Sequence, residues 1–202
     1  MGLYDWYLAV RVRRHPTDPP AHVALIITER DLLTRGAYRT LESFLHWALE
    51  EDASRVTVYV SVLDEAAVPT LRQALTEIDT PTAYAVRGPD DTTPAREAIQ
   101  IGIGLGGKHE FAKAVRELAV EVDGGTLEPD EITASDIEER LVFSHEPDLV
   151  IKTGAERLSD FMIWQSVYSE LYFTDVNWQN FRRRDYLRAL LSYKQRRRRF
   201  GR

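Results

Sequence analysis

The chain has 202 residues, 44% of them apolar and 29% charged, a composition that suits a single globular domain with a sizeable core. No apolar run reaches the roughly 18 residues of a membrane helix, and no leader-like hydrophobic segment opens the chain, so a cytoplasmic location is expected. The absence of cysteine excludes disulfides, thiol nucleophiles and Cys-ligated zinc.

Residues 1–20 read as an N-terminal helix and lead-in, with Leu3, Trp6, Tyr7 and Val10 at i, i+3, i+4, i+7 beside Arg11, Arg13 and Arg14. That stripe is expected to pack onto the domain; the alternative is a peripheral membrane contact. Residues 22–28 are continuously apolar and β-branched, as a buried strand is. Residues 37–51 carry Leu41, Phe44, Leu45, Ala48 and Leu49 at helical spacing, and 56–63 form a second strand. A helix over 65–78 has Pro69 in its first turn, and 82–86 is a short strand followed by a turn-rich loop. Residues 99–103 are a strand ending in glycines, and 108–122 a helix halted by Asp123-Gly124-Gly125. A short helix runs from Thr133 or Ser135 to about 141. Then come a strand over 149–151, a helix over 158–168, a strand over 171–173 and a terminal helix over 180–198. Strands alternating with helices predict an α/β fold: one domain over 1–202, with a mostly parallel six-stranded sheet flanked by helices.

The formal charge of −6 is unevenly spread. Residues 181–202 hold ten Lys/Arg and one acid, which leaves −15 on the remainder. Arginine outnumbers lysine 22 to 4, which suits bidentate contact with phosphate or carboxylate. The basic end complements a helix C-terminus. Nucleic-acid binding is not expected from it, because aromatic interleaving is thin and the rest of the chain is acidic.

In open parallel sheets ligands bind at the carboxyl ends of the strands. After the 99–103 strand, Gly102-Ile-Gly-Leu-Gly-Gly-Lys108 satisfies G-x-x-x-x-G-K, but His109 stands where Ser or Thr ligates magnesium. A nucleotide-binding module, a tight strand-to-helix turn, and a simple anion contact through Lys108 are the three readings. After 149–151, Lys152-Thr-Gly-Ala-Glu-Arg157-Leu-Ser159 puts two cations, two hydroxyls and a glycine before a helix, the inventory a diphosphate needs. In the alternative, Thr153 or Ser159 is only a helix cap and Arg157 only a surface charge. The five histidines show no metal-ligand spacing, and no G-x-S-x-G elbow is present.

From residue 147 onward the wording is specific. Pro-Asp-Leu-Val-Ile-Lys-Thr-Gly-Ala-Glu-Arg-Leu-Ser-Asp-Phe161, Ile163-Trp-Gln165, Tyr168-Ser-Glu-Leu-Tyr-Phe-Thr-Asp175, Trp178 and Arg198-Arg-Phe-Gly201 together resemble the cis-prenyltransferases, the undecaprenyl and dehydrodolichyl diphosphate synthases. The resemblance implies a dimeric fold around a hydrophobic tunnel and condensation of isopentenyl diphosphate onto an allylic diphosphate with Mg2+. It implies that Lys152, Thr153, Arg157 and Ser159 lie at the isopentenyl diphosphate, with Lys152 in an arginine's place. Lys108 likewise replaces an arginine. Glu170 matches an acid linked to magnesium, and Arg199 and Gly201 match a tail that reaches the neighbouring subunit's diphosphate.

The departures lie upstream. The family carries Met-Asp-Gly-Asn-x-Arg after its first strand; here Ile27-Thr28-Glu29-Arg30-Asp31-Leu32 stands there, so Thr28 replaces the aspartate. The Ser-x-Glu-Asn-Trp pattern is replaced by Ser61-Val-Leu-Asp-Glu65. The phosphate-grip segment is one residue short between Thr153 and Arg157, and Asp160 replaces an asparagine. This pattern resembles the non-catalytic, Nogo-B-receptor-type subunit of heteromeric synthases. It implies a catalytic homologue as partner, with Mg2+ bound in the assembled complex and a vestigial tunnel here. The competing reading is an active homodimer with a donor site rebuilt around Glu29, Arg30 and Asp31.

Overall fold

The computed structural model describes residues 2–89, 91, 96–104, 106–143, 145–154, 162 and 164–196. Its strands are β1 (His22–Thr28), β2 (Arg55–Ser61), β3 (Tyr84–Arg87), β4 (Ile99–Ile103), β5 (Leu149–Thr153) and β6 (Glu170–Thr174). They form one all-parallel sheet in the order β3-β4-β2-β1-β5-β6. Both faces are covered, which is why β1 is apolar at five consecutive positions, Val23 to Ile27, rather than at alternate ones.

The helices are α1 (Leu3–Arg14), α2 (Glu29–Leu32), α3 (Ala37–Glu50), α4 (Val68–Thr76), α5 (Gly107–Asp123), α6 (Ala134–Glu138) and α7 (Arg183–Gln195). One face of the sheet presents Val23, Leu25, Ile27, Val58 and Ile101 to α3, α4 and α7 in a single core. Phe44 is its aromatic centre, edge-on to Trp178, Phe181 and Tyr186. The Trp178 indole N–H is satisfied by the Ala37 carbonyl at 3.1 Å, so this large ring is buried without an orphaned donor. On the opposite face Ala24, Ile26, Tyr59 and Val150 pack against Val142, Phe143 and Met162. This division follows from right-handed crossovers: steps from β1 toward β3 put α3 and α4 on one face, and the return to β5 puts α5 on the other.

Three readings change. Lys152 and Thr153 are not loop residues; they complete β5, paired with Phe173 and Thr174. The helix expected over 158–168 lies largely outside the described residues, and 164–168 is a run of turns. Most consequentially, the α1 stripe does not pack onto the domain. Leu8, Ala9 and Val12 do, against α7, whereas Leu3, Trp6 and Tyr7 are exposed. Two apolar arcs compete on this helix, and the smaller side chains allow the closer approach to α7.

Candidate functional site

From β1 the chain proceeds to β2, β3 and β4 on one side, then returns across the sheet to β5. The carboxyl ends of β1 and β5 therefore frame the topological switch point, the position at which open parallel sheets take their ligands. Register places Lys152 opposite Ile26, with Thr28 two residues further along β1. Strand alternation turns Lys152 to the face of Val150 and Ile26, the face Thr28 also takes.

Thr28 caps α2. Its hydroxyl and its backbone N–H both donate to Asp31 Oδ2 at 2.8 Å, and the Asp31 N–H donates back to Thr28 Oγ1 at 3.3 Å. This reciprocal cap is readable as T-x-x-D, a signal left unused at the sequence level. Glu29 is engaged as well, its Oε2 accepting the Leu63 N–H at 3.2 Å. Lys152 is 7% exposed, with Nζ donating to the Thr153 carbonyl at 3.3 Å. Burial lowers its pKa, and the Asp31 carboxylate opposes that change. The carboxyl end of β5 thus holds a largely buried ammonium beside the Asp31 carboxylate, which also serves the α2 cap.

Thr153 follows Lys152 in sequence but turns to the other face. Its hydroxyl is buried and has no hydrogen-bond partner among the described residues. Lys108, exposed in the first turn of α5 after β4, starts two strands away from β1. Gly102 is paired within β4 to Tyr59 and Arg87, so the first glycine of the G-x-x-x-x-G-K match is in the sheet and not in a phosphate-wrapping loop. Glu170 opens β6 at the amino end of the sheet, where its carboxylate meets Arg196 Nη1 at 3.0 Å. It is therefore far from Lys152 of the same chain. Arg157, Ser159, Arg199 and Gly201 lie outside the described residues.

Glu110 and His22 are among the buried polar residues that no sequence pattern marked. Glu110 on α5 accepts the Val142 N–H at 2.5 Å and that of Phe143 at 3.4 Å, and burial raises its pKa. It pins the segment covering the second face. At the amino end of β1, His22 bridges the Glu146 carbonyl at 3.0 Å and Thr57 Oγ1 at 2.8 Å. Burial pushes its pKa down to about 4. Among the described residues no three His, Asp or Glu side chains converge to hold a metal ion. With Thr28 supplying a hydroxyl and both neighbouring acids already hydrogen-bonded, the switch point does not fit a magnesium held by this chain's described residues.

An all-parallel sheet covered on both faces, with a buried lysine at its switch point, defines an α/β protein of the open-sheet class, in which ligands bind at the strand carboxyl ends. Residues 73–201 match the family model described as putative undecaprenyl diphosphate synthase, and the chain belongs to that prenyltransferase family. The short-chain Z-isoprenyl diphosphate synthase of Mycobacterium bovis is 37% identical over 248 positions, covering 99% of this chain and 95% of the relative. Fitting 99% of 202 residues into 248 positions leaves roughly 50 positions of that relative without a counterpart here. The tritrans,polycis-undecaprenyl-diphosphate synthase of Methanocaldococcus jannaschii is 46% identical over 108 residues, which span 51% of this chain but only 39% of the relative. The crystal structure of lavandulyl diphosphate synthase from Lavandula x intermedia, in complex with dimethylallyl diphosphate, shares the fold at a TM-score of 0.74 and 24% identity. That match covers 91% of this chain and 99% of the neighbour.

Proposed function

We propose that this chain binds isopentenyl diphosphate and serves as the accessory subunit of a heteromeric cis-prenyltransferase that builds polyprenyl diphosphates. Lys152, with Arg157 and Ser159, grips the diphosphate. Arg199 and Gly201 complete the site of a catalytic partner, which supplies the Mg2+ site.

The observation that carries this reading is the state of Thr28. Departure of pyrophosphate from an allylic carbon requires charge stabilisation by a metal and preorganised donors. Here the residue ending β1 is a hydroxyl spent on capping α2, and the bulk and charge of Glu29 oppose a phosphate where the family has glycine. A further observation supports it. Arg196, which begins the tail, is bonded to Glu170 and the Leu171 carbonyl at the amino end of β6. The tail therefore sets out from the pole opposite this chain's own switch point, an arrangement that suits action in a neighbour.

Incorporation of radiolabelled isopentenyl diphosphate decides between the readings. The pure chain is expected to be inactive. A homologue retaining the Asp-Gly-Asn motif is expected to gain activity on mixing, and Arg199→Ala in this chain is expected to remove that gain. Activity of the pure chain, abolished by Glu29→Gln or Asp31→Asn, overturns the accessory role in favour of a self-sufficient homodimer.

A further inference from the structure

The outward stripe of α1 is an uncovered surface of distinct chemistry. Leu3 is 89% exposed, Trp6 59%, Tyr7 49% and Tyr4 48%, all within the first turns of one helix. Such a cluster of large apolar side chains on a surface marks a contact site. Tyr and Trp combine an apolar ring with a polar edge and suit the boundary between lipid headgroups and acyl chains. Arginines border the stripe. The Arg11 guanidinium lies 5.7 Å from the Tyr7 ring centroid and that of Arg188 lies 5.4 Å from the Tyr4 centroid. Arg14 joins Val10, Pro16 and Leu191 around a shallow groove of about 500 Å³. The one acid on α1, Asp5, is turned to the Gly2 N–H. On a chain of net charge −6, this face is locally cationic.

We infer that the outward face of α1 docks on the surface of membranes containing anionic phospholipids. Leu3, Trp6 and Tyr7 enter the headgroup layer, and Arg11 and Arg14 meet lipid phosphates, whereas Arg188 is ion-paired with Asp185 at 3.1 Å. A helix of 12 residues is too short to span a bilayer, so the contact is peripheral. Charge complementarity favours this occupant over a second copy of the chain, because a two-fold contact through the same face brings its arginines against one another. The inference does not rest on the proposed division of labour in prenyl transfer.

Flotation of the full chain with phosphatidylcholine vesicles, with and without phosphatidylglycerol, tests it directly. The chain is expected to float with the phosphatidylglycerol vesicles only. Leu3→Ser with Trp6→Ser is expected to weaken that binding at least about tenfold, with circular dichroism and Tm unchanged. R11E with R14E is expected to abolish the preference for phosphatidylglycerol. Val120→Ser, which alters a residue 72% exposed on α5, is expected to leave flotation as it was. Failure of the wild-type chain to float, or binding that survives both double substitutions, overturns the inference. So does a dimer that the same substitutions dissociate while no vesicle is bound.

Discussion

Replacing Lys152 by methionine tests whether this lysine serves a ligand or the fold. The ammonium is nearly enclosed, its pKa is lowered by burial, and Asp31, its nearby countercharge, is held by two hydrogen bonds from Thr28. A buried cation with incomplete compensation costs folding energy, so an apolar side chain of similar length should leave stability unchanged or raise it by about 1 kcal/mol. Diphosphate binding should behave oppositely. A charge-assisted contact contributes about 1.5–3 kcal/mol, so Kd for inorganic pyrophosphate or isopentenyl diphosphate should rise roughly 10- to 150-fold. Lys152→Arg, which keeps the charge and adds a bidentate fork, should stay within about tenfold of the parent. Isothermal titration calorimetry gives the affinities and urea unfolding the stabilities. If Lys152→Met lowers stability by more than about 1 kcal/mol while pyrophosphate affinity holds, the lysine is structural and the ligand argument fails.

Thr28→Val removes the cap of α2 and should cost about 1 kcal/mol in urea unfolding without abolishing pyrophosphate binding. Thr153→Val replaces a buried hydroxyl that has no hydrogen-bond partner among the described residues by a methyl group; stability should hold or rise by up to about 1 kcal/mol, and calorimetry should show unchanged pyrophosphate affinity. His22 is about 4 when folded against 6.5 when unfolded, so the unfolded chain takes up the proton first and stability falls as pH drops from 6.5 toward 4. The loss attributable to this residue should reach about 2 kcal/mol at pH 5 and be absent in His22→Gln, as read from urea midpoints across that range. Glu110→Ala strands the Val142 and Phe143 N–H groups beneath the second face and should cost about 2–3 kcal/mol in the same assay.

The match from 147 to 175 could be read without any structure because it consists of residue types in a fixed order, and order survives in one dimension. The sheet was equally legible: unbroken apolar runs such as 22–28 are what a strand covered on both faces requires. The α1 stripe was misread because periodicity identifies an amphipathic helix but not which of two apolar arcs meets its neighbour; contact with α7 settled that in favour of Leu8, Ala9 and Val12. Lys152 and Thr153 look like one motif in sequence, yet extension through the end of β5 sends their side chains to opposite faces. Glu170 and Lys152 lie at opposite ends of neighbouring strands, a separation set by the parallel register and not visible in their spacing along the chain. Sequence by itself thus determined the family and most of the elements. Tertiary structure alone decided which groups share an end of the sheet and which helix face stays bare, because both depend on the direction of side chains from packed elements rather than on their spacing along the chain.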